Sequence, residues 1–211
     1  MLALPLAQLV PPAIGEQVRD ALADAGVEWH LGRTVTAIDY RGNVPGYDAT
    51  LDNGSRIEAD LVLSAVGLRP NIALAEAAGL DVGAGIKVDE CGRTSDPAIY
   101  AIGDCAEYPH GLSAYVTPIM AAARGIAASA LGTPTAIKFP PLAVQVKTTL
   151  FPLNLLPPPR TSIGEWHAVE SDNEGHKHVF IDDGGLVRGY VLTREKCEQR
   201  GDMDARVGEL A

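Results

Sequence analysis

The chain has little cysteine and little positive charge. Of its 211 residues 3 are cysteines, Cys91, Cys105 and Cys197, and they form no CxxC pair and no Cys/His set at metal-ligand spacing. That argues against a disulfide framework, against thiol–disulfide chemistry through a cysteine pair and against a bound metal, and it points to a reducing cytoplasm. Lysine plus arginine number 17 against 27 aspartate plus glutamate, a net charge of −10. So acidic a body attracts neither nucleic acid nor an anionic membrane surface. Residues 1–12, MLALPLAQLVPP, are apolar but lack a basic leader, are broken by Pro5 and are too short to span a bilayer. No signal peptide, anchor or membrane partner is expected. Also missing is any GxGxxG turn: Gly83 and Gly85 give a GxG with neither a third glycine at the right spacing nor a helical pattern after it. There is no internal repeat. With 46% hydrophobic residues the chain has enough apolar surface for one large globular domain or two small ones.

What the chain does have is the stretch 94–107, TSDPAIYAIGDCAE, followed by a small-residue segment at 117–132, TPIMAAARGIAASALG. Residues 99–102 read as a short buried parallel strand that stops at Gly103 and Asp104. Gly103 lets the backbone turn tightly or approach a bound group. Asp104 sets a carboxylate at the carboxyl end of a strand, where open α/β sheets bind nucleotides and where it can accept hydrogen bonds from ribose or ribityl hydroxyls. Gly-Asp also marks ordinary turns. Residues 117–132 predict a helix with Pro118 in its first turn and a partly positive N-terminal end. The same composition suits an alanine-rich core helix.

Upstream, Ile14, Val18, Ala21, Leu22 and Ala25 share one stripe and predict a helix over 14–25, ended by Gly26. Residues 27–31 and 34–40 read as strands, 47–51 and 56–59 as a hairpin around Asp52, Asn53 and Gly54, and 61–66, LVLSAV, as a fully buried strand. Gly67, in the GLRP that follows, is either a close backbone contact for a cofactor or a plain strand-to-helix turn. A short helix at 72–78, a strand at 86–89 and a turn at 91–95 lead to the central stretch. Beyond Gly132, Pro134, Pro140 and Pro141 mark a linker. Residues 142–150 predict a strand with Gln145, Lys147 and Thr149 outward, and 151–160, with four prolines, read as extended loop. His167, His176 and His178 fall in a polar, loop-like stretch. Strands at 166–170, 178–181 and 186–193, with a turn at Asp183-Gly184-Gly185, and a polar helix or frayed end at 194–210 complete the chain.

Three strings, GDCAE, YVTPIMA and VQVKTTLFP, in this order and spacing, resemble the FAD-dependent pyridine nucleotide oxidoreductases, and within them the rubredoxin reductases, over almost the whole chain from Pro5. The resemblance implies an α/β fold. Partial Rossmann-like, three-layer FAD/NAD(P)-binding domains would be followed by a small α+β C-terminal domain: residues 1–70 the second half of an NAD(P)H-binding domain, 71–136 the C-terminal part of an FAD-binding domain, and 137–211 a small β-rich acceptor-side domain. It implies FAD and NAD(P)H as cofactors. Gly103 and Asp104 would lie at the ribityl or pyrophosphate region, Val116 at the ring system through its backbone, and Thr117 at the helix start facing the flavin. Lys147 would bring a cation to the isoalloxazine, although a lone lysine on an amphipathic strand is also an ordinary solvated residue. Gly67 would lie near the nicotinamide. No side chain is assigned a catalytic role, since the flavin carries the chemistry.

The implied partners are rubredoxin or a similar small iron protein such as flavorubredoxin or a ferredoxin, and a missing N-terminal half of the same enzyme. Both dinucleotide fingerprints of the family would lie in that half, so the isolated chain is expected to be inactive and to hold FAD weakly or not at all. NAD and NADP stay equally open. A reading from another class is a non-catalytic interaction module that retains the flavoprotein fold remnant and uses its proline-rich segment for partners.

Overall fold

A computed structural model describes residues 4–42, 44–140, 142–159 and 161–211. In chain order the elements are α1 (Pro12–Asp24), β1 (Val35–Tyr40), β2 (Tyr47–Leu51), β3 (Arg56–Ala59), α2 (Ala73–Ala77), β4 (Ile86–Lys87), a single 3-10 turn (Gly103–Cys105), β5 (Ala106–Tyr108), β6 (Gly111–Leu112) and α3 (Val116–Ala130). There follow β7 (Val144–Val146), β8 (Leu153–Leu156), β9 (Gly164–Asp172), β10 (Gly175–Asp182), β11 (Val187–Thr193), a 3-10 segment (Arg194–Gln199) and α4 (Arg200–Arg206). The architecture is α/β. It divides into two compact units, Met1–Leu63 with Ala143–Ala211, and Ser64–Leu142. No described helix is long and apolar enough to cross a membrane.

The first unit is built on an antiparallel sheet in the order β7-β8-β11-β10-β9. Alternation along β8 and β11 sends Leu153, Leu155 and Val191 to one face, where they pack with Phe151 and with Val10, Ile14 and Val18 at the start of the chain. Ile14 and Val18 are four apart, so α1 lays one stripe onto the sheet. Leu156, Tyr190 and Leu192 point to the other face and pack with Met203 of α4. The same unit holds the meander β1-β2-β3, whose hairpin register, Tyr47 opposite Ala59 through Thr50 opposite Arg56, is as the alternation predicts.

Several expectations give way here. Residues 151–159 are not an extended loop: Phe151 is buried and β8 is an inner strand of the sheet. Pro152 and Pro157, Pro158 and Pro159 flank the four-residue strand and so remove no hydrogen bond from the ladder. Arg160, the last residue of that stretch, lies outside the described residues, as does Pro141 of the linker. His176 sits on β10 and not in a loop, while His167 on β9 and His178 on β10 lie within the strands expected at 166–170 and 178–181. Residues 27–31 form no strand, and Val27 is exposed. The run at 61–66 is neither strand nor buried. Neither segment pairs with a neighbouring strand among the described residues.

The second unit holds the small sheet β4-β5-β6, in which β4 and β5 are parallel and β5 and β6 antiparallel. Val88, Ala101, Ala106, Tyr108 and Ala122 form its core, with Ile126, Ile137 and Phe139 against it. Gly125 lets α3 come this close, because a Cβ there would stand 2.7 Å from Ile137. The strand expected at 99–102 is absent: the chain is irregular there, Ile99 and Ile102 are exposed, and the paired strand, β5, follows the Gly-Asp step instead of preceding it.

The buried Lys196 is ringed by Glu170 at 3.0 Å, Asp172 at 3.0 Å and Glu174 at 3.3 Å, while Lys177 reaches Glu170 at 2.9 Å. Hydrogen bonds from Lys177 and then Lys196 hold the Glu170 carboxyl at about 2, below its ordinary 4.5, and Lys196 lowers Asp172 in the same way. A carboxyl depressed by folding contributes stability that is present above its unfolded pKa and lost as pH falls through the folded one. The antiparallel sheet is therefore expected to weaken as pH drops from about 4.5 to about 2. Glu170→Gln should flatten that loss, as read from urea midpoints at neutral and acid pH.

Candidate functional site

The turn at Gly103–Cys105 is a single 3-10 turn entered in left-handed backbone, with Gly103 at φ +83°. Only glycine adopts that conformation without strain. The turn packs on the start of α3: a Cβ built on Gly103 would stand 3.8 Å from the end of the Ile119 side chain, which is in ordinary contact. Asp104 is therefore set beside the first turn of α3 and is exposed to solvent.

The start of α3 is open. Tyr115 precedes the helix in extended backbone, no side chain caps it, and no acidic residue lies in its first turn. The Tyr115 N–H donates back to the Ser113 carbonyl at 2.9 Å, whereas Val116 and Thr117 carry the amides that a helix leaves without an internal acceptor. Pro118 has no N–H to satisfy and is itself buried. Val116 is 78% exposed. The result, among the described residues, is a pair of donors without acceptors at a partly positive helix end, with the Gly103–Cys105 turn that carries Asp104 packed on the same helix at Ile119. Electron-rich oxygen suits the donors, and hydroxyl groups suit Asp104.

Of the residues singled out from the sequence, Gly103, Asp104, Val116 and Thr117 thus share one place in the second unit. Gly67 belongs to that unit too, at φ +98° with nothing within 4 Å of a built Cβ, in an exposed irregular stretch. Lys147 belongs to the first unit; the strand expected over 142–150 is only Val144–Val146, so Gln145 is exposed on it while Lys147 and Thr149 are exposed beyond its end.

One feature was not legible in the sequence. A cleft of about 470 Å³ in the second unit is lined by Glu90, Tyr108, Pro109, His110, Ile137 and Phe139. Tyr108 stacks on His110 with ring centres 5.7 Å apart, and Phe139 meets both edge-on. Burial, and the nearby Cys105, push the Tyr108 phenol up, and its hydroxyl has no partner among the described residues. Residues from 90, 108–110 and 136–139 meet here with no common motif to announce them.

The turn and the carboxylate separate cleanly by substitution. Gly103→Ala must take up left-handed backbone and is expected to lower stability by about 1 kcal/mol. Asp104→Ala removes an exposed side chain and should stay within about 0.5 kcal/mol of the parent. Denaturant midpoints of the two variants check this, and the reverse ranking would make Asp104 a structural residue.

Comparison with known proteins identifies the family. Residues 2–127 match the pyridine nucleotide-disulphide oxidoreductase family, and residues 136–207 match the rubredoxin binding C-terminal domain. The chain is 40% identical over 198 residues to the rubredoxin-NAD(+) reductase of Alcanivorax borkumensis, covering 93% of this chain and 50% of that protein. It is 42% identical over 188 residues to the nitric oxide reductase FlRd-NAD(+) reductase of Aeromonas salmonicida, covering 89% and 48%. Among solved structures, the ferredoxin reductase for the CYP199A2 system of Rhodopseudomonas palustris superposes with a TM-score of 0.83 at 26% identity, over 99% of this chain and 53% of that one. The chain spans about half the length of the curated relatives it matches. With residues 2–127 matched, the chain belongs to the pyridine nucleotide-disulphide oxidoreductase family.

Proposed function

We propose that the chain is the C-terminal part of a flavoprotein oxidoreductase that passes electrons from NAD(P)H through FAD to rubredoxin or a similar one-electron iron protein. The single observation that carries the reading furthest is the open start of α3 beside Asp104, in a chain whose relatives are named as rubredoxin and flavorubredoxin reductases. The match of residues 136–207 to a rubredoxin binding domain supports the acceptor class. On this reading residues 1–70 belong to the NAD(P)H-binding domain, 71–136 to the FAD-binding domain and 137–211 to the acceptor side. Three free cysteines suit a cytoplasmic enzyme.

The residues present fit the cofactor's oxygen groups. FAD, when bound, supplies the coupling between a two-electron donor and a one-electron acceptor. Asp104 accepts hydrogen bonds from ribityl hydroxyls, and Gly103, bare of a side chain, allows close approach. The Val116 and Thr117 amides at the helix end favour negative charge by roughly 0.3 to 2 kcal/mol. Lys147 offers a second positive charge from the acceptor-side segment. Gly67 gives the nicotinamide side an unobstructed backbone. The chain's own part is thus to bind, orient and tune electrostatically.

The test supplies the half of the Alcanivorax borkumensis relative that this chain does not match, together with FAD. NADH or NADPH should then bleach the flavin absorbance and drive reduction of rubredoxin. Asp104→Ala should weaken FAD binding on the order of tenfold, the size of a hydrogen bond to a charged group. Absence of flavin reduction by either nucleotide would end this reading.

A further inference from the structure

The cleft of about 470 Å³ beside Tyr108 lies wholly within the second unit, and the electron-transfer reading gives it no role. Its walls are held by backbone and by packing. The Ile137 N–H donates to the Glu90 carbonyl at 2.8 Å, so the segment that carries Phe139 is pinned to the one that carries Glu90. Gly125 and Gly92 let Ile137 seat closely, since a Cβ on them would stand 2.7 Å and 3.4 Å from its side chain. His110 Nε2 shares a hydrogen bond with the hydroxyl of Ser113 at 3.1 Å, and Ser113 is itself buried. That bond holds the imidazole nearly parallel to the Tyr108 ring, at an angle of 12°. Two features of this lining point to a ligand. Tyr108 is only 4% exposed, yet its hydroxyl has no partner among the described residues, a cost that protein interiors mostly avoid. The second is charge. Among the described lining residues Glu90 is the one carboxylate and there is no lysine or arginine, while the whole chain carries −10. The aromatic faces add to the same preference, because their π clouds are negative.

We propose that this cleft binds a small organic cation, a flat aromatic ring that carries a cationic N–H group such as an amidinium or a protonated aryl amine. The ring packs on Phe139, His110 and Ile137, and the charge lies towards Glu90. An N–H of the ligand, directly or through one water, gives the Tyr108 hydroxyl the partner it lacks. An anion of the same shape meets repulsion from Glu90, and a neutral one forgoes the attraction. None of these residues is among those assigned to the flavin, so the site stands or falls apart from that assignment.

The test titrates the 211-residue chain with benzamidine and follows the backbone amide shifts by NMR, with benzamide as the neutral twin and circular dichroism to show each variant folded. Benzamidine is expected to shift the amides of Glu90, His110 and Phe139 with a Kd on the order of 1 mM, the affinity that so small a ligand supports. Benzamide should bind about fivefold more weakly, and Glu90→Gln should weaken benzamidine by about the same factor and remove the preference between the two. Tyr108→Phe keeps the ring stack and deletes the hydroxyl. It should raise the denaturant midpoint of the ligand-free chain, because an unpaired buried group is gone, while weakening benzamidine about fivefold. Benzamide bound as tightly as benzamidine, shifts spread over other carboxylate-bearing segments, no saturable shift at all, or a lowered midpoint for Tyr108→Phe would each overturn the proposal.

Discussion

Each apolar strand in this chain is as ordered as the neighbours available to it, because a backbone edge needs partners and an apolar face needs cover. Where both lie within the chain, the result is complete: β8 and β11 sit inside the five-stranded sheet, with α1 on one face and α4 on the other. Where they do not, sequences of equal or greater hydrophobicity stay irregular. Residues 61–66 have the composition of an inner strand, yet Leu61, Leu63 and Val66 are exposed. The contrast follows from the same physics applied with and without a partner.

The candidate site depends on a smaller version of that constraint. Gly103 turns through left-handed backbone, so that Gly103–Cys105 closes against Ile119 while Asp104 remains in solvent. The α3 start is left uncapped, although serine, threonine or aspartate before it would have satisfied its amides locally. An open donor pair beside an acceptor is suited to an outside group that carries both oxygen anions and hydroxyls. On the proposed reading that group is the flavin cofactor, met by Asp104 and by the amides of Val116 and Thr117.

Much of this was legible in the sequence where the signal is local. Strict alternation with Asp52-Asn53-Gly54 between two runs specified the β2–β3 hairpin, the spacing of Ile14 and Val18 specified α1, and small residues after Pro118 specified α3. Misreadings arose where the outcome depends on distant chain. Four prolines at 151–159 suggested a loop, yet they bracket β8 because the strand is anchored by β7 and β11. The strand expected at 99–102 moved to β5, whose parallel neighbour β4 is present. The Lys196 cluster draws on Glu170, Asp172 and Glu174 from another part of the chain, and the cleft joins Glu90, Tyr108 to His110 and Ala136 to Phe139. Neither has a short motif.

The central claim is that the α3 start and the Gly-Asp turn form one flavin-contacting surface. Amide exchange in the assembled two-half protein, with and without FAD, measures it directly. The account predicts that FAD slows exchange at Val116 and Thr117 and in the Gly103–Cys105 turn while leaving the start of α1 unchanged. Equal exchange at Val116 and Thr117 with and without bound FAD would contradict it.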